Sequence, residues 1–131
     1  MFEKYAKKSQ KAFYLIFRLL IGVLFFGHGI MKFGFLGGNV ATGGSIFWWA
    51  GITEIVVGAL LFFGLFTRLA ALLGAVEMVV AYFYAHFPKG FSPFANGGET
   101  ALLFFVAFLV LFAYSAGIWN LENKLFKKEV I

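Results

Sequence analysis

Four apolar stretches constrain this chain more than any other feature. They run from about Ala12 to Gly34, Ile46 to Phe66, Arg68 to Phe87 and Glu99 to Trp119. Each has roughly the 20 residues a helix needs to cross a hydrocarbon core of ~30 Å. Composition agrees: 62% of the residues are hydrophobic and 13% charged, against about half and about a quarter in soluble domains. So little polar surface cannot cover a water-soluble globule, and the surrounding solvent must be lipid. Period-2 alternation is missing, and a barrel of at least about eight strands of ~10 residues does not fit comfortably in this length. Pro88 and Pro93 both fall between the third and fourth stretches, so no span is broken by proline. Glycine-rich connections at Gly37-Gly38-Asn39 and Gly43-Gly44-Ser45, a tight one at Gly64–Thr67 and a longer one from Pro88 to Gly98 separate the stretches. Short connections make neighbouring helices antiparallel. The expected fold is all-α: a polytopic four-helix antiparallel membrane bundle forming a single domain over residues 1–131.

Basic residues set the expected orientation. Lys4, Lys7, Lys8 and Lys11 precede the first span, Lys124, Lys127 and Lys128 follow the last, and Arg68 sits in the tight second connection. Only Lys32 and Lys89 fall on the other side. This bias places both termini in the cytoplasm, which an even number of spans requires. The net charge of +5 is then matched to lipid headgroups, and no nucleic-acid partner is implied. The first span lacks a small-residue cleavage site and reads as a retained helix. Trp48 and Trp49 at one end of the second span, and Trp119 at the opposite face, fit interfacial positions.

The informative residues are the ionisable ones inside the spans, each costing on the order of 3 kcal/mol by insertion scales unless it finds a partner or water. They are Arg18, His28, Lys32, Glu54 and Glu77, with His86 and Glu99 near span ends. From a rise of about 1.5 Å per residue, His28, Lys32, Glu54, His86 and Glu99 share the outer half of the membrane. Arg18 and Glu77 lie about 9 and 13 Å above the inner surface, which predicts a structural ion pair between them. At about 100° per residue, Arg18, His28 and Lys32 fall within roughly 80° on one helix face. His28, Lys32 and Glu54 form the expected ligand-binding core, with His86 and Glu99 beside it. Glu54 is the candidate proton acceptor and donor, because a buried carboxylate beside lysine and histidine can hold or pass a proton. Glu99 also suits a helix N-terminus, and His86 an interface.

Some chemistry is excluded. The chain has no cysteine, hence no disulfide, thiolate or iron–sulfur site. It has no phosphate-binding glycine loop and no dinucleotide fingerprint. No haem or metal is expected. A bis-His haem through His28 and His86 remains geometrically open, as does a metal held by His28, His86, Glu54 and Glu99.

At these residues the chain resembles the DoxX family of small prokaryotic four-helix membrane proteins. The matching text is Arg18-Leu19-Leu20-Ile21-Gly22 leading to Gly27-His28-Gly29-Ile30-Met31-Lys32, then Glu54-Ile55-Val56-Val57-Gly58 and Gly64-Leu65-Phe66-Thr67-Arg68. Asn96-Gly97-Gly98-Glu99 and Gly117-Ile118-Trp119-Asn120-Leu121-Glu122 complete it. The resemblance implies a multi-pass protein of the bacterial or archaeal cytoplasmic membrane. It also implies quinone-linked work, as a component of a membrane redox, oxidative-stress or detoxification system.

Three functions compete. In the first, a quinone or quinol occupies a phenylalanine-lined slot, with Lys32 or His28 bonding a carbonyl and Glu54 handling the proton. If catalytic, the chain would be a subunit of a quinone-linked oxidoreductase. In the second, it is a structural membrane anchor for a soluble or membrane oxidoreductase. In the third, it is a small-molecule permease or exporter, which in four helices would call for a homo-oligomer.

Overall fold

The computed structural model describes residues 1–127; Lys128, one of the basic residues after the last span, lies outside them. The elements are α1 (Phe2–Met31), α2 (Ile46–Phe63), α3 (Thr67–Ala81), α4 (Pro93–Asn96), α5 (Glu99–Tyr114) and α6 (Leu121–Phe126). A wider π turn over Tyr82–His86 and a 3-10 turn over Phe87–Lys89 prolong α3. Among the described residues there is no strand. Three segments are long and apolar enough to cross a membrane: Phe2–Met31, Ile46–Phe63 and Thr67–Lys89. The apolar α5 is shorter, with 16 residues.

The helix limits follow local chemistry. α1 begins at Phe2, ten residues before the expected start at Ala12, because the lysine-rich segment contains no breaker and gains a Glu3–Lys7 pair at 2.8 Å. Ser45 caps α2 through its Oγ, which accepts from the Trp48 amide at 3.2 Å. α2 stops at Phe63 because Gly64 takes the left-handed conformation, φ 66°. α5 stops at Tyr114 and not at Trp119. Ser115 and Gly117 have φ of 62° and 70°, turning the chain out of the helix.

α1 packs along α2, α2 against α3, and α3 along α5. The α1/α2 seam is backbone on backbone. A Cβ at Gly22 would lie 2.7 Å from the Phe62 nitrogen, and one at Gly58 2.5 Å from the Phe26 nitrogen. Only small residues permit so close an approach in lipid. The α1/α5 side is filled by rings instead: Phe25 lies 4.8 Å from Phe108 and 5.2 Å from Phe104, centroid to centroid. Val57, Leu61, Ala70, Ala71 and Leu111 complete the buried core. Leu20, Leu24, Val56, Val76, Leu103 and Val110 stand exposed on the outside, as lipid-facing side chains do.

Candidate functional site

The site forms where α1 ends. Lys32 is the residue that caps α1, its amide bonding the Gly29 carbonyl at 3.1 Å. Its Nζ donates to Oε2 of Glu54 on α2 at 2.7 Å. The lysine side chain is 26% exposed and the glutamate side chain 6%, so the pair is open on the lysine side alone. Gly51, one turn before Glu54, makes room for the lysine stem: a Cβ there would meet the Lys32 Cβ at 3.1 Å and the Phe33 ring at 2.8 Å. Glycine at that position therefore serves the ion pair as well as the helix contact.

A third charged group joins from α3. Glu77 interacts electrostatically with both Glu54 and Lys32. Both of its carboxylate oxygens are buried and accept no hydrogen bond from the described residues. Lys32 bonds Glu54 and not Glu77, so with all three ionised the low-dielectric setting holds one negative charge uncompensated. One bound proton would restore neutrality.

His28 stands one turn before Lys32 and within reach of its charge. It is exposed, and its ring meets Phe104 of α5 edge-on, 5.5 Å between centroids at 90°. The imidazole is therefore accessible from outside the bundle, on the side where α1 faces α5.

Arg18 and Glu77 do not pair, which corrects the sequence-based expectation. Arg18 is 1% exposed and donates to four main-chain carbonyls instead. Nη1 reaches Ala116 at 2.6 Å and Ile118 at 3.1 Å, and Nη2 reaches Trp119 at 3.0 Å and Phe62 at 3.3 Å. Arg18 therefore sits level with the end of α2, whereas Glu77 lies ten residues into α3, about 15 Å further along. The shortened α5 has the same cause. Residues 116–119 offer carbonyls to the guanidinium because they are not spent on helical bonds.

The remaining candidates stand apart from this cluster. His86 lies with Nδ1 3.3 Å from the Asn96 carbonyl oxygen, inside the connection between α3 and α5. Asn96, 2% exposed, organises that connection: its Nδ2 donates to Gly90 at 2.9 Å and its Oδ1 accepts from the Gly98 amide at 2.7 Å. Glu99 is exposed in the first turn of α5. Among the described residues neither His86 nor Glu99 bonds to Lys32 or Glu54, and no group of three or more potential metal ligands comes together. The four-residue metal site considered from the sequence is therefore not assembled.

Sequence reasoning missed the place of Glu77. The signal was available. Glu54 lies ten residues before Gly64 and Glu77 ten after Thr67, so a tight hairpin returns them to equal height. Arg68, at the start of α3, was legible only as a topology signal; its Nε bonds the Phe112 carbonyl at 3.0 Å and so ties α3 to the end of α5.

The DoxX family model matches residues 13–87, which hold Arg18, the Lys32–Glu54–Glu77 cluster and the glycine seam. A Haemophilus influenzae protein named "Uncharacterized protein" is 43% identical over 130 residues, covering 93% of this chain and 97% of its own length. A Bacillus subtilis protein named "Putative oxidoreductase CatD" is 34% identical over 80 residues, covering 56% of this chain and 60% of its own. No solved structure matches the chain significantly. By the family match and by near full-length similarity to the Haemophilus protein, the chain belongs to the DoxX family of membrane proteins.

Proposed function

We propose that the chain is a quinone- or quinol-interacting component of a membrane redox system, seated in the prokaryotic cytoplasmic membrane with both termini inside. The observation that carries this reading is the Lys32–Glu54 ion pair at 2.7 Å, with the unpartnered Glu77 carboxylate behind it and exposed His28 beside it. A quinone needs a donor at its carbonyl oxygen and a route for protons; a lysine–carboxylate pair open on the lysine side offers both. Reducing a quinone to a quinol takes two electrons and two protons. The electrons come from a partner oxidoreductase, and Glu54 and Glu77 supply places for protons. The name of the Bacillus relative, that of an oxidoreductase, supports a redox setting.

The test is a titration with a soluble short-chain quinone in mild detergent, read by tryptophan fluorescence. Trp48 lies within two turns of Glu54 and its ring is 6.1 Å from that of Phe33, which neighbours Lys32. Saturable quenching should weaken about tenfold or more in Lys32→Met and Glu54→Gln, the scale of a hydrogen bond to a charged group. Linear quenching identical in both folded variants would overturn the quinone reading. The chain would then be read as a membrane anchor for an oxidoreductase.

A further inference from the structure

A second polar place lies at the opposite end of the bundle. Arg18, buried to 1% exposure, has no carboxylate partner among the described residues; its four hydrogen bonds all go to neutral carbonyls. Its Nε–H is enclosed by the protein and has no acceptor among the described residues. Arg18 forms part of the wall of a groove of about 340 Å³, together with Leu15, Leu19, Phe63, Trp119 and Lys124. The groove is apolar along α1 and α2 and polar at the α6 rim. Lys124 on that rim is exposed and makes no ion pair among the described residues. Lys8 and Lys11 precede Leu15 on the same face of α1, at two-turn and one-turn spacing, and are exposed. Trp119 stands 83% exposed beside them, as an interfacial tryptophan does.

The charge balance identifies the occupant. An exposed lysine on the rim with no ion pair among the described residues, an enclosed guanidinium charge in the wall and an apolar surface beneath them complement an anion that carries a hydrophobic tail. We propose that this groove holds the phosphate of an anionic phospholipid headgroup on Lys124, with the enclosed charge of Arg18 in the wall below it and the acyl chains along Leu15, Leu19 and Phe63. The volume suits a headgroup, and the chains continue over the exposed outer face of α1 and α2. Basic pockets between spans are the expected seats of such lipids. This site is independent of the quinone proposal, because it lies at the other end of the bundle from Lys32 and Glu54.

The experiment is native mass spectrometry of the full chain released from mixed micelles holding equal phosphatidylglycerol and phosphatidylcholine. One retained phosphatidylglycerol is expected, preferred about fivefold or more over the zwitterionic lipid. Lys124→Gln should reduce retention about fivefold. Leu19→Trp should abolish it by filling the groove, while the thermal unfolding midpoint shows that the variant is folded. Lys89→Gln, at the opposite end, should leave it unchanged. Equal retention of both lipids, equal loss in Lys124→Gln and Lys89→Gln, or displacement by millimolar inorganic phosphate would overturn the assignment to a lipid headgroup at this groove.

Discussion

The two polar ends of the bundle handle a buried cation in opposite ways. At one end Arg18 is enclosed and bonded to four carbonyls from the end of α2 and the 116–119 loop. At the other end Lys32 is part open, bonds one carboxylate and leaves a second carboxylate without a hydrogen bond. The first arrangement spends its donors on the backbone and so fixes the fold. The second keeps capacity in reserve: an accessible donor and an acid that can take a proton. A guanidinium suits the first task because its planar fork meets several acceptors at once. An ammonium on a flexible stem suits the second. The difference teaches that depth in the membrane does not by itself mark a functional charge; what matters is whether its hydrogen bonds are already filled.

Substitutions can break this contrast. The largest effect is expected from Arg18→Met, which removes four bonds and strands the carbonyls of the α5–α6 loop. A stability loss of roughly 3–5 kcal/mol, read by thermal unfolding in detergent, would make Arg18 a fold determinant. A loss under about 1 kcal/mol would place both ends in the same class. Next comes Gly58→Leu, whose side chain would strike the α1 backbone. It should separate α1 from α2 and lower stability by about 1–3 kcal/mol or more, with weaker quinone binding as a consequence, since Lys32 and Glu54 sit on those two helices.

Subtler changes sharpen the comparison. Glu77→Gln removes no hydrogen bond among the described residues, so it should not lower stability as Arg18→Met does. Its effect should instead appear in protons taken up on quinol formation, measured with a pH dye; an unchanged proton count would remove Glu77 from the site. The smallest expected effect is that of His28→Ala. Among the described residues the exposed ring meets one aromatic side chain, Phe104, so stability should hold while quinone affinity falls a few-fold. An affinity identical to the parent chain would confine the site to Lys32 and Glu54.

Much of the architecture was legible in residue order. Apolar length predicted the helical class, and the glycine, proline and asparagine positions marked the connections. The Gly64–Thr67 turn fell where expected because Gly64 alone could take its φ of 66° cheaply. The end of the last long helix was not legible, because hydropathy continues past Tyr114 through Ala116 and Ile118 while the carbonyls there are claimed by Arg18. The ion-pair prediction for Arg18 and Glu77 failed for a related reason. Height was counted from an assumed membrane surface, whereas α1 runs ten residues further back than the apolar stretch and Arg18 meets the end of α2.

The sequence by itself determined that the chain lives in lipid, that its elements are helices, which family it belongs to and which residues carry charge inside the spans. The lipid setting, the helices and the charge positions follow from composition and from spacing along one chain, where the rise and turn of a helix are constant; the family follows from likeness to its members. Only the tertiary structure decided which charges meet. Lys32 reaches Glu54 because glycines let α1 and α2 touch backbone to backbone, and Glu77 joins them because the tight hairpin folds α3 back at equal height. His86 and Glu99, near in expected depth, stay apart from the pair because depth says nothing about lateral position. Lateral position is set by the side-chain volumes between helices, and those act only once the helices are packed.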